Sequence, residues 1–263
     1  MNNLKFPIYT LGCKTNQSES DYITSDLING GFQIVSLREK PDFVIINTCT
    51  VTAASDSKAR QLIRRIKQSN PEGKIIVTGC FVVFNEKFLA ENKIDFIIRN
   101  EDKYNIPELV YKIFDIDFTG KSGKAGKAGK SGKAGALSDI SPSPSPALPY
   151  QNIHSRALVK IQDGCEQNCS YCIVPLVRGC YKSIRPGLIV DTIKNLVNKG
   201  FEEIVITGIH IGKYGIDFGQ NCSLASLLMT ILGSTTVKRI RLSSIEINEI
   251  NRELLEIVKQ SNR

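Results

Sequence analysis

Three cysteines crowd the segment GCEQNCSYC, at Cys165, Cys169 and Cys172. Their C-x3-C-x2-C spacing sets three thiols on one short loop, and thiolates are the ligands of zinc and of iron–sulfur clusters. Closed sites take four such ligands, and no fourth cysteine stands at a matching interval. A four-iron cluster on three thiolates keeps one iron open, much as catalytic zinc keeps a free position. An open iron accepts a bidentate outside ligand such as the amino and carboxylate groups of a methionine moiety. If that ligand is S-adenosylmethionine, the reduced cluster can pass an electron to the sulfonium and release a 5′-deoxyadenosyl radical. The alternatives are a zinc site completed by Cys180 or His154, and plain buried thiols.

Three more cysteines share a different regularity. Cys13, Cys49 and Cys80 each end an apolar run, in FPIYTLGC, DFVIINTC and GKIIVTGC, and a fourth run follows in DFIIRN. Near-continuous Val/Ile runs separated by helical patterns predict a parallel sheet covered on both faces. The C-terminal ends of parallel strands lie along one edge, so three distant sulfurs can meet there as a second three-cysteine site. Ordinary core cysteines are the competing reading. Cys180 and Cys222 show no such phase and are read as ordinary thiols.

The positioning elements divide the 263 residues into three stretches. Residues 1–118 hold the first strand–helix alternation. Residues 119–149 carry five Gly-Lys-x triplets and a Ser-Pro run, which cannot bury a core and read as a flexible linker. Residues 150–263 resume the rhythm: SRALVKIQDGC as a strand entering the cysteine loop, then the pairs PGLIVDTIKNLVNKG and EEIVITGIH, SLASLLMTILGS and VKRIRLSS, and a last helix in INRELLEIVKQSN. Successive βα units of this length predict an incomplete barrel-like parallel sheet with its site at the strands' C-terminal ends. Three units do not close a barrel, and the chain is expected to be cut short after Arg263.

Composition excludes some classes. The 41% hydrophobic content suits a globular chain, and no apolar run is long enough for a transmembrane helix. The start lacks a signal peptide's features, so a cytoplasmic protein is expected, where eight cysteines are ligands or core residues rather than a disulfide framework. Of the net charge of +8, the linker's five lysines less its one aspartate supply half, leaving a surplus compatible with RNA and not diagnostic of it.

GCEQNCSYCIVPLVRG, with Tyr171 before the last cysteine and an α/β region bearing Cys13, Cys49 and Cys80 ahead of it, resembles the radical S-adenosylmethionine methylthiotransferase family. YTLGCKTNQSES and TGIHIGKYG look most like the branch acting on N6-threonylcarbamoyladenosine in tRNA. The resemblance implies an α/β fold: an N-terminal parallel-sheet, Rossmann-like methylthiotransferase domain joined to an incomplete radical (β/α) barrel. It implies two [4Fe-4S] clusters, one on Cys165, Cys169 and Cys172 that cleaves S-adenosylmethionine, the other on Cys13, Cys49 and Cys80 that supplies sulfur. Methylthiolation at C2 of the adenosine beside the anticodon follows, with no certain catalytic side chain.

Tyr171, Thr207, Gly208, His210, Ser244 and Glu246 are the candidate contacts to S-adenosylmethionine. Arg178 and Arg185 are candidates for RNA phosphate. Implied partners are tRNA and an electron donor such as flavodoxin or ferredoxin, with no membrane and a monomeric state. The family pattern continues beyond residue 263 through more strands and an RNA-gripping β-barrel, so little activity is expected of this stretch alone. The same reaction on a ribosomal-protein aspartate, and a non-catalytic RNA- or zinc-binding fragment, remain the rival functions.

Overall fold

The computed structural model describes residues 4–116, 156–219 and 222–263; the 119–149 linker and His154 lie outside them. In the first part the chain runs β1 (Lys5–Phe6), β2 (Ile8–Thr10), α1 (Lys14–Asn29), β3 (Gln33–Ile34), β4 (Phe43–Thr48), α2 (Ala53–Ser69), β5 (Lys74–Gly79), α3 (Glu86–Glu91), β6 (Phe96–Ile98) and α4 (Ile106–Ile113). Strands β2, β4, β5 and β6 form one parallel sheet in that order. Successive residues of a strand face opposite sides, and the core records it. Val44, Ile46, Ile75 and Val77 pack on one face with Ala59, Ile63 and Ile66 of α2. Phe43, Ile45 and Ile76 pack on the other with Ile23 and Leu27 of α1 and Val110 of α4. Each fully buried Ile or Phe contributes about 1.5–3 kcal/mol, which makes the central strands the rigid part of the sheet.

The run expected as one strand up to Cys13 is divided. Lys5–Phe6 pairs with β3, and only Ile8–Thr10 joins the main sheet. Pro7 between them has no N–H to give a ladder.

The second part runs β7 (Ala157–Asp163), α5 (Val174–Arg178), β8 (Lys182–Ser183), α6 (Pro186–Asn198), β9 (Glu203–Gly208), α7 (Leu224–Ser234), β10 (Arg239–Leu242) and α8 (Arg252–Gln260). Strands β7, β9 and β10 are parallel neighbours in sequential order, and the two-residue β8 runs antiparallel against the end of β7. Helices start where the sequence provides caps. Pro186 opens α6, the Ser223 and Ser226 side chains each bond the other's amide at α7, and the Asn251 side chain accepts from Leu254 N at 2.8 Å. A single core joins these helices to the sheet through Ile161, Ile193, Ile204, Ile206, Leu227 and Ile231.

Helix α1 belongs to both parts. It covers a face of the first sheet and also packs against β7 and β9 of the second. Its buried residues include Thr15, Asn16, Glu19, Ser20, Thr24 and Ser25. So polar a helix is buried only because a second layer of structure covers it.

Candidate metal centres

The three cysteines of the first part follow the ends of the neighbouring strands β2, β4 and β5, along one sheet edge. Gly12 takes φ +138, and a Cβ there would come within 2.8 Å of the Cys49 Cβ, so only glycine lets the chain before Cys13 pass this close. Cys13 then precedes α1 with extended backbone, and its thiol donates to Asn16 Oδ1 at 3.2 Å. Cys49 directly follows β4. Cys80 opens the 3-10 turn after β5, beyond Gly79, where φ is +102 and a Cβ would lie 2.1 Å from the Thr48 carbonyl oxygen.

Cys49 and Cys80 are buried and Cys13 is exposed. Burial pushes the Cys49 thiol up and the Val51 amide offsets part of that; Cys80 and Cys13 push it further as like charges, while Arg178 pulls it down. A carboxamide pair braces the edge: Asn16 donates to Asn47 Oδ1 at 3.1 Å and to the Thr48 carbonyl at 2.9 Å, and Asn47 returns a bond to the Asn16 carbonyl at 2.8 Å.

The second set hangs on the loop after β7. Gly164 turns the chain at φ +71, where a Cβ would lie 1.8 Å from the Cys180 carbonyl oxygen. Cys165 N donates to the Gly179 carbonyl at 2.9 Å, and Cys172 N to the Cys169 carbonyl at 3.0 Å. Cys165 is buried, Cys172 is partly covered, and Glu166 through Tyr171 are exposed. The Cys165 sulfur lies 3.3 Å from His210 Nδ1. The Tyr181 ring packs on His210 with centroids 6.0 Å apart, and burial followed by the Cys165 thiolate raises the Tyr181 phenol. On the far side of the imidazole, Nε2 is 2.6 Å from Glu249 Oε1, a close contact without the alignment of a hydrogen bond.

Gln162, fully buried, ties the loops together. It accepts from His210 N at 2.8 Å and donates to the Asp163 and Gly164 carbonyls at 2.6 and 2.7 Å. Its backbone carbonyl would also be 2.9 Å from a Cβ at Gly208.

Among the described residues, no three or more His, Cys, Asp or Glu side chains gather as ligands for one metal ion. Cys180 is exposed. A four-iron cube offers a separate iron to each thiolate, so it asks for sulfurs spread around a volume rather than drawn to a point. Two separate sets of three free thiols are the donor chemistry that such cubes use.

The seam between the two parts is a buried charge network. Glu19 of α1 receives Lys103 at 2.5 Å, Lys160 of β7 at 2.8 Å and Arg178 of α5 at 2.5 Å. Asp163 receives Lys160 at 2.5 Å and Arg178 at 3.3 Å. Burial alone would raise the Glu19 carboxyl, but Lys160, Lys103 and Arg178 outweigh it and hold it well below the usual carboxylate range. Asp163 is likewise held low against its burial by Lys160 and Arg178. Arg178, considered for RNA phosphate, is instead enclosed here, while Arg185 is exposed at the start of α6.

The other expected contacts separate. Thr207 and Gly208 end β9 beside Gln162, and His210 reaches Cys165. Ser244 and Glu246 follow β10 and are exposed, as is Tyr171 at 89%. Tyr181, Glu249, Gln162, Glu19, Asn16 and Asn100 were not singled out from the sequence. Polar residues without a repeating interval leave no pattern there, although six buried polar positions on one helix contradict an ordinary amphipathic face.

Fold and sites define an α/β protein whose parallel strands deliver cysteines at their C-terminal ends. Residues 5–99 match the family described as Uncharacterized protein family UPF0004. The chain is 36% identical to threonylcarbamoyladenosine tRNA methylthiotransferase MtaB of Rickettsia prowazekii, over 100% of this chain and 57% of that protein. Identity to the same-named proteins of Aquifex aeolicus and Bacillus subtilis is 31% and 33%, each over 97% of this chain and 59% and 54% of theirs. The chain thus spans a little over half the length of the curated relatives it matches.

A solved structure of the radical S-adenosylmethionine methyltransferase TsrM from Kitasatospora setae, with cobalamin and a [4Fe-4S] cluster bound, superposes with a TM-score of 0.60 at 15% identity, over 98% of this chain and 57% of that one. At that identity the likeness is one of fold. The names of these relatives agree with the resemblance read from the cysteine motifs.

Proposed function

We propose that this chain carries the cluster-binding part of a tRNA methylthiotransferase acting on C2 of N6-threonylcarbamoyladenosine beside the anticodon. The observation that carries the reading is the pair of three-cysteine sets, each at the C-terminal end of a parallel sheet, docked through one buried seam. Cys165, Cys169 and Cys172 would hold one [4Fe-4S] cluster, and Cys13, Cys49 and Cys80 a second. When bound, the two clusters supply one-electron reduction of S-adenosylmethionine and a source of sulfur.

The chain's own groups position and shield. Burial of Cys49 and Cys80 keeps water from the strand-end site, while the exposed 166–171 segment leaves the loop site open for a cosubstrate. His210, oriented through its amide by Gln162 and flanked by Tyr181, bounds that opening beside Cys165. Thr207 and Gly208 set the loop that carries it, and Tyr171, Ser244 and Glu246 are exposed groups available to the same cosubstrate.

Separate sheets and cores in 4–116 and 156–263 support a division into a domain at 1–118, a tether at 119–149 and a partial radical barrel at 150–263. The sequential order of β7, β9 and β10 is that of a barrel arc. Partners on this reading are tRNA and a flavodoxin- or ferredoxin-type donor acting on a cytoplasmic monomer. Among the described residues no helix is long and apolar enough to cross a membrane.

The test is mass analysis of nucleosides from threonylcarbamoyladenosine-containing tRNA. The tRNA is incubated with reconstituted protein, S-adenosylmethionine and dithionite, using both this chain and a chimera continued with the C-terminal portion of the Rickettsia relative. A 2-methylthio product from the chimera that vanishes in Cys165→Ala is expected. Product on a ribosomal-protein aspartate instead would move the chain to another branch.

A further inference from the structure

Arg178 lies just after the cysteine loop of the second part, yet is enclosed by Glu19 and Asn16 of the first part together with Asp163 of β7. Its side chain is 1% exposed. Nη1 donates to Glu19 Oε1 at 2.5 Å and to Asp163 Oδ1 and Oδ2 at 3.4 and 3.3 Å. Nη2 donates to Asn16 Oδ1 at 3.1 Å and to Glu19 Oε2 at 3.4 Å. The remaining donor, Nε–H, is buried and has no protein partner. A guanidinium carries five N–H groups in a fixed fork, and a buried one left unpaired carries the full cost of its lost hydration.

Two carboxamides show what that fork faces. Asn16 Oδ1, which accepts from Arg178, also accepts from the Cys13 thiol. Asn100 Nδ2 donates to the carbonyl of Val177, the residue before Arg178, at 2.7 Å, and stands 3.7 Å from the Cys80 sulfur. Cys13 and Cys80 are therefore each linked, through one carboxamide, to Arg178 or the carbonyl just before it, on the other part of the chain.

We propose that Arg178 completes the strand-end cysteine site, giving its free Nε–H and positive charge to the anionic iron–sulfur group held by Cys13, Cys49 and Cys80, so that docking of the second part sets that group's potential. This rests on the reading of those cysteines as cluster ligands. Hydrogen bonds to cluster sulfurs and a nearby cation stabilise the reduced, more negative form. Arg178 is thus a positioning and tuning residue for a site on a different sheet. The arrangement makes the sulfur-bearing site fully poised only when both parts are assembled.

The experiment isolates one cluster. In the full chain with Cys165, Cys169 and Cys172 changed to Ala, the remaining cluster is reconstituted, its iron counted, and its midpoint potential read by EPR-monitored titration. Arg178→Gln in that background is expected to lower the potential by about tenfold in the one-electron equilibrium, about 59 mV, with iron content kept. Should Arg178→Gln not fold, Arg178→Lys, which keeps a charge but lacks the fork, is read in its place and is expected to give part of the shift. Lys103→Met is the structural control, because it breaks the same network at Glu19 with no bond to the cysteine side. Intact iron with an unchanged potential, or an equal shift in Lys103→Met, overturns the role of Arg178. Absence of a cluster when Arg178 is intact overturns the cysteine assignment itself, and the proposal with it.

Discussion

The two cysteine sets solve the same problem with opposite economies of chain. Cys165, Cys169 and Cys172 sit within one loop, held by Gly164, by the Gly179 carbonyl and by their own backbone bonds. Cys13, Cys49 and Cys80 come from three strand ends and meet only when β2, β4 and β5 are in register. The loop set grades from buried Cys165 to exposed Cys169; the strand-end set has two of its three thiols buried and is braced by the Asn16–Asn47 pair. A site built locally survives loosening of its domain. A site built from distant strands reports whether the domain is folded.

The sharpest break between them is removal of ligands. Protein with both clusters should hold about eight irons, and changing either set of three cysteines to Ala should leave about four. Retention of all the iron in either variant would refute the assignment of that set.

Next in size is Glu19→Gln, which leaves Lys103 without its buried anion and Lys160 and Arg178 with Asp163 alone. Breaking a buried charge pair costs about 3–5 kcal/mol, so a large drop in the urea midpoint is expected. Iron at the loop set should outlast iron at the strand-end set as urea rises. Simultaneous loss of both would erase the distinction drawn between local and long-range assembly.

Smaller effects come from the two glycines that shape the sites. Gly79→Ala puts a Cβ against the Thr48 carbonyl, and Gly164→Ala puts one against that of Cys180, each at positive φ. Each should cost about 1–3 kcal/mol in denaturant unfolding. Gly79→Ala should depress cluster loading on Cys13, Cys49 and Cys80, and Gly164→Ala loading on the loop cysteines. Crossed effects would show that the sites are not independent.

Much of this architecture is readable before any coordinates. Short Val/Ile runs ending in cysteine specify strands and put their sulfurs in phase, because a strand's direction and a parallel sheet's common edge follow from the pattern alone. The C-x3-C-x2-C loop is legible for the same reason: its geometry is contained in consecutive residues. Pro7 hides the small β1–β3 pairing, since it divides one apolar run into two short strands with different neighbours.

Tertiary structure alone decided which polar groups surround the sulfurs. Glu19 and Asn16 look like solvent-facing residues of a polar helix until Lys160 of β7 pairs with the first and Asn47 and Arg178 with the second, and Arg178 looks like a surface cation until Glu19 and Asp163 enclose it. His210 could be assigned to the loop site by its place after β9, but its flanking Tyr181 and Glu249 could not. Periodicity encodes which face of an element is apolar, and cysteine spacing encodes where ligands start. Neither encodes which charged side chain, 159 residues from Glu19 in the case of Arg178, will be the one to neutralise it. That choice is made by long-range packing, where burial makes an unpaired charge too costly to leave.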